Sequence, residues 1–138
     1  MFLSNDISTQ MGLSSLLPQI VDRVRIPVIA AGGICDVRSI DASLSLGASA
    51  VQIGTAYLLC NEVNTSILHC AALKSEKANR TALTNVFTGK PARGISNRIM
   101  KDLGYMSDDV PAFPYATMDM AQLKSLAEKQ GSGDFSSL

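Results

Sequence analysis

Apolar positions along this chain fall into two kinds of run, one with helical spacing and one unbroken. Between residues 13 and 24, Leu16, Leu17, Ile20, Val21 and Val24 recur at steps of one, three and four, which gathers them on one helical face. The spacing predicts a helix over 13–24, with Ser14 or Ser15 as its cap and Pro18 in its first turn. The next run, 26–31, is short, β-branched and apolar throughout, as expected of a parallel strand covered on both faces. It ends at Gly32-Gly33. From Asp36, a natural N-cap, Val37, Ile40 and Leu44 resume helical spacing until Gly47, which can close a helix in the left-handed conformation. A second apolar stretch, 48–53, then runs into Gly54-Thr55. Strand, glycine turn, helix, glycine, strand is the order of a βαβ unit. Further on, the pattern predicts helices over about 65–80 and over 118–129. Between them, 84–114 holds three prolines and three glycines without a sustained period. That stretch reads as irregular, with one short helix near Asn97 to Leu103.

Composition narrows the class. The 138 residues carry Lys+Arg 12 against Asp+Glu 12, so the net charge is zero and nothing marks a nucleic-acid or anionic-membrane surface. With 46% hydrophobic and 17% charged residues the chain has enough apolar side chains for a core, and no uninterrupted run of membrane-spanning length. Cys35, Cys60 and Cys70 form no Cys-x-x-Cys pair, so neither a disulfide framework nor a structural zinc site is suggested. A reducing, cytoplasmic setting is expected. At this length a closed eight-stranded barrel, which needs about 250 residues, does not fit.

Two consecutive parallel strands ending in small residues place candidate chemistry at their carboxyl ends, where α/β sheets hold ligands. Bare glycine backbone lets N–H groups approach an anion, and a following helix adds its positive end. A phosphate cradle between Gly32-Gly33 and Gly54-Thr55 is one reading. Plain βα turns are the other. Gln52, an amide inside an apolar strand, must find partners or lose roughly 1–3 kcal/mol, whether that partner is a ligand or the fold. His69, the only histidine, falls on a helical pattern and reads as an ordinary helix residue. Arg93 reads as a structural hydrogen-bonding residue, Cys35 as a small packing residue, and Met118 and Met120 as core fillers.

Four segments carry a family resemblance: 27–34 (Pro-Val-Ile-Ala-Ala-Gly-Gly-Ile), Leu46-Gly47-Ala48, 51–56 (Val-Gln-Ile-Gly-Thr-Ala) and 87–95 (Phe-Thr-Gly-Lys-Pro-Ala-Arg-Gly-Ile). Together they resemble the C-terminal half of nitronate monooxygenases, formerly 2-nitropropane dioxygenases. The Gly-Gly and Gln-x-Gly-Thr elements also occur in related FMN-dependent enoyl reductases, whereas the 87–94 stretch narrows the family. The resemblance implies an α/β fold, the C-terminal portion of an FMN-binding (β/α)8 TIM barrel over residues 1–62. Residues 63–138 would then be a mostly helical segment of the smaller substrate domain. It implies FMN as cofactor, its phosphate and ribityl oxygens held by Gly32, Gly33, Gln52, Ile53, Gly54 and Thr55, and a small nitronate and O2 as reactants. The family's catalytic histidine belongs to a Gly-Gly-His motif that comes before the position matching Met1, and no such motif occurs in this sequence. No catalytic residue or metal ligand is therefore assigned. Self-association through an exposed sheet edge is a further expectation, and a non-catalytic flavin-phosphate-binding or assembly module is a third reading.

Overall fold

Two βα steps in succession build the first part of the molecule. In the computed structural model, which describes residues 6–138, the chain divides into a unit of Thr9–Asn64 and a second built on Thr65–Leu138. The first contains α1 (Leu13–Val21), β1 (Ile29–Ala31), α2 (Val37–Ser45) and β2 (Ala50–Gln52), followed by a short 3-10 turn over Thr55–Leu59. β1 and β2 pair in parallel with Ile29 opposite Ala50 and Ala31 opposite Gln52, so the βαβ reading holds. Both strands are shorter than the apolar runs that predicted them. Pro27 has no N–H to give a ladder, and among the described residues each strand has a single partner.

Asp36 caps α2 as read, and the helix ends in a Schellman motif in which Gly47 N–H reaches Leu44 O and Ala48 N–H reaches Ser43 O. α1 begins differently from the expectation. Its N-cap is Gly12, without a side-chain bond, so neither Ser14 nor Ser15 caps it, and Pro18 stands in the second turn. Leu17, Ala30, Ile34 and Ala48 form the core of this unit, with Val21, Ile40, Val51 and Ile53 packed around them. Both helices supply that core, so only one face of the sheet is covered. Ile29 is 61% exposed, and Ala31, Ala50 and Gln52 beside it are exposed too. The expectation of a strand buried on both faces is thus corrected.

The second unit holds α3 (Ile67–Leu73), a 3-10 turn (Glu76–Asn79), β3 (Thr81–Thr84), β4 (Ala92–Ile95), α4 (Arg98–Asp102) and α5 (Tyr115–Lys129). The predicted 65–80 helix breaks at Lys74, where Ser75 caps the turn that follows by accepting the Lys77 N–H. β3 and β4 form an antiparallel hairpin, Leu83 opposite Arg93, inside and beside the stretch expected to be irregular. Asn97 caps α4 through Oδ1, and its Nδ2 donates to Ser136 O at 2.7 Å. The C-terminal tail is tied alongside by Ile95 N–H to Leu138 O (2.8 Å) and Ile99 N–H to Asp134 O (3.2 Å). Ala72, Val86, Ile95, Ile99, Met100, Ala116 and Ala127 are buried apolar residues here. Among the described residues no helix is long and apolar enough to cross a membrane.

Candidate functional site

The parallel register fixes where the two glycine turns emerge. Because Ala31 lies opposite Gln52, Gly32-Gly33 and Ile53-Gly54-Thr55 leave neighbouring strands at the same carboxyl edge. That edge is where ligands of α/β sheets sit. Five of the six candidate residues, Gly32, Gly33, Gln52, Gly54 and Thr55, are exposed there. Ile53 is half-buried and its side chain belongs to the core, so it offers main chain alone. The Gln52 amide does not lie inside a covered strand. It projects from the bare sheet face, and the desolvation cost attached to it from the sequence does not arise.

The glycines differ in what they need. Gly32 and Gly33 have φ of +102° and +71°, a region that side-chain-bearing residues avoid. Gly54 has φ −108°, and a Cβ placed on it would meet no atom within 4 Å. Neither backbone conformation nor packing within the chain therefore demands glycine at position 54.

Anion binding by the positive end of α2 does not fit this geometry. The Asp36 carboxylate occupies it, accepting the Ser39 N–H at 2.9 Å and pairing with the Arg38 guanidinium. Ser39 Oγ reciprocates by accepting the N–H groups of Asp36 and Cys35 at 3.0 and 3.1 Å. The Ser39 backbone N–H, then Arg38, hold the Asp36 carboxyl below its ordinary pKa. Sequence reasoning found the cap and missed this return bond, although a hydroxyl three residues after Asp is a readable signal for it. The turn at Thr55 has no side-chain cap at all. An anion at this edge would be met by loop N–H groups and the open start of that turn.

The remaining candidates lie elsewhere. His69 is half-buried on α3, in the second unit, with its imidazole pKa lowered by burial and then by the Lys124 ammonium. Arg93 stands on β4 and donates to Thr81 Oγ1 on β3 at 3.1 Å, a cross-strand structural bond as read. Cys35 is exposed, not packed. Met118 is 71% exposed on the stripe of α5 that also carries Tyr115 and Leu126, opposite the buried Ala116 and Ala127. In the 87–95 segment, Thr88 Oγ1 accepts the Lys90 N–H and Gly89 N–H reaches Asn85 O at 2.7 Å. A Cβ on Gly89 would lie 2.5 Å from both Pro111 O and Phe113 N, so this motif serves to close a loop against backbone.

Residues 4–137 match the family model described as nitronate monooxygenase. Curated relatives described as probable nitronate monooxygenases come from Staphylococcus saprophyticus, 39% identical over 98% of this chain, and from Staphylococcus aureus strain Newman, 43% identical over 88%. The chain spans 38% and 34% of the length of those two relatives. Among solved structures, a nitroalkane oxidase from Streptomyces ansochromogenes is 39% identical with a TM-score of 0.84, covering 92% of this chain and 36% of its own. FabK from Thermotoga maritima is 28% identical with a TM-score of 0.70, covering 93% of this chain and 40% of its own.

Proposed function

The chain belongs to the nitronate monooxygenase family, and on that premise we propose that residues 1–62 are the phosphate-binding end of an FMN barrel and residues 63–138 part of its smaller domain. Gly54 carries the proposal: it is a bare backbone position that this chain's own fold does not require, placed beside Gly32 and Gly33 at the ligand-binding edge of a parallel sheet. The residues fit the group. N–H groups of Gly33, Gly54 and Thr55 would hold the phosphate, Gly32 and Ile53 would contribute main chain around it, and the Gln52 amide would face the ribityl oxygens from the open side of the sheet. Bound there, FMN supplies an acceptor for the electrons that pass from an alkyl nitronate to O2.

This chain's own part is to bind and orient. The exposed sheet face bearing Ile29, Ala31 and Ala50 is apolar, as the inner wall of a barrel is, and the strands that would cover its edges come from the remaining two-thirds of such a protein. The proton-abstracting histidine also belongs to that remainder by family resemblance, since His69 sits on α3 and outside the unit of the glycine turns. The 138-residue chain by itself is therefore read as a binding element without turnover. The likeness to FabK supports a rival reading as part of an enoyl reductase sharing the same phosphate loops.

Oxygen uptake with propyl nitronate and added FMN tests the reading on two proteins: the chain alone, and the chain fused behind the matching N-terminal part of the Staphylococcus saprophyticus relative. Turnover is expected from the fusion and none from the chain alone. Turnover by the chain alone would refute the missing-base argument. A fusion that reduces an enoyl thioester with a nicotinamide donor and ignores the nitronate would establish the rival.

A further inference from the structure

Within the unit built on Thr65–Leu138, α3 and the turn after it, the β3–β4 hairpin, α4 and the C-terminal tail border a cleft of about 840 Å3. That lies in the range of roughly 300–1,000 Å3 typical of small-molecule sites. Its charge is lopsided. The chain has twelve basic and twelve acidic residues, yet the cleft is lined by Lys77, Arg80, Arg98 and Lys101 against the acidic side chain of Asp134 and the α-carboxylate of Leu138. Arg98 is partly neutralised by Asp102 at 3.1 Å and lies 5.8 Å from the centre of the Phe135 ring. Lys77, Arg80 and Lys101 have no ion pair or side-chain hydrogen bond among the described residues. Three uncompensated cations facing one cavity repel one another, and an entering anion relieves that repulsion.

The lining also carries apolar side chains, those of Leu68, Ala71, Ala72, Ala82 and Ile95, beside Ser75 and Thr81. One wall adds a polar contact point: Ser96 Oγ and Tyr105 Oη share a single hydrogen bond of 2.8 Å, so whichever hydroxyl accepts keeps its own O–H to give. Asn97, 8% exposed, fixes this wall by tying the start of α4 to the tail, which sets the positions of Arg98 and Lys101.

We propose that this cleft binds an organic phosphate, its dianionic head among Lys77, Arg80 and Lys101 and its apolar body over the Leu68–Ala82 lining. A single carboxylate would leave most of the cationic charge unmatched, whereas a phosphate monoester brings nearly two negative charges and three acceptor oxygens. The site is separate from the flavin-phosphate reading, because none of its lining residues belongs to the unit that carries Gly32 and Gly54.

Phenyl phosphate, inorganic phosphate and phenol titrated into the 15N-labelled chain test this, read by amide shifts. Phenyl phosphate is expected to move Ala72, Ala82 and Ser96, to bind more tightly than either control, and to weaken as salt is added. Arg80→Gln with Lys101→Gln, both exposed positions, should lower that affinity at least tenfold. Arg80→Lys should retain most of it. Shifts confined to Gly32, Gly33 and Gly54, equal affinity for phenol, equal affinity for inorganic phosphate, or unchanged binding in the double variant would each overturn the proposal. Shifts confined to the glycine turns would favour phosphate binding there instead, and the other outcomes leave the question of whether those turns hold FMN untouched.

Discussion

Gly54 and Gly33 stand at the same sheet edge, and their backbones separate the needs of the fold from the needs of a ligand. Gly33, at φ +71°, is required by the turn, so Gly33→Val should destabilise the chain by more than about 1 kcal/mol in denaturant unfolding. Gly54→Val, with φ −108° and open space above it, should leave the unfolding midpoint almost unchanged. In the complete fusion protein the same change should weaken FMN binding about ten- to a hundredfold, the value of a lost charge-assisted hydrogen bond, and leave riboflavin binding nearly unaltered. Equal losses for both flavins would show that Gly54 does not meet the phosphate. Gly89 is the opposite case. It combines φ +79° with backbone atoms at 2.5 Å, so Gly89→Ala should cost about 3 kcal/mol or more and leave flavin affinity intact in whatever protein still folds. A thermal melt of the chain checks it.

At the scale of elements, α3 gives the second unit a pH response. Burial first, and the Lys124 ammonium on α5 second, hold the His69 imidazole below its ordinary pKa of 6.5. The unfolded chain therefore takes up its proton before the folded chain as the pH falls. The resulting contribution to stability is complete above about pH 6.5 and is lost as the pH drops from there through the folded-state value. Unfolding curves between about pH 7.5 and about pH 5 should show declining stability that His69→Gln flattens. An unchanged slope in that variant would assign the decline to other groups. Lys124→Gln should reduce the decline by less than His69→Gln, since burial is the larger cause. The hairpin shows how a neighbouring element can be invisible in sequence. Thr81–Thr84 and Ala92–Ile95 are only four residues each, with Arg93 and Gly94 interrupting the apolar positions, and their pairing rests on main-chain bonds, on Arg93 to Thr81, and on a tail that reaches Ile95 from Leu138.

For the whole molecule the decisive feature is the bare side of the β1–β2 sheet. Each strand has one partner among the described residues, leaving both outer edges unpaired, and Ile29 is 61% exposed between exposed alanines. Unpaired edges beside apolar surface favour association. Sedimentation velocity should therefore show the chain associating as its concentration rises, with Ile29→Lys reducing that association and leaving the unfolding free energy within about 0.5 kcal/mol of the parent. A monomer at every concentration with a sharp cooperative melt would mean that the open sheet face is self-sufficient.

The residues by themselves determined the βαβ order, the Asp36 cap, the Gly47 stop and the meeting of Gly32-Gly33 with Gly54-Thr55 at one edge. All of these follow from local periodicity and capping, in which each signal lies within a few residues of its effect. The four motif segments also carried the family. Only the tertiary structure decided which sheet face is covered, because an apolar run does not say whether helices pack on one side of it or both. It also decided that the α2 terminus is spent on Asp36 and Ser39, that Gly54 needs no positive φ, and that Met118 faces outward. The hairpin and the cationic cleft were illegible for the same physical reason: Lys77 and Arg80 stand on the 3-10 turn and at its end, Arg98 and Lys101 on α4, and two such pairs apart in sequence become one site only through long-range packing.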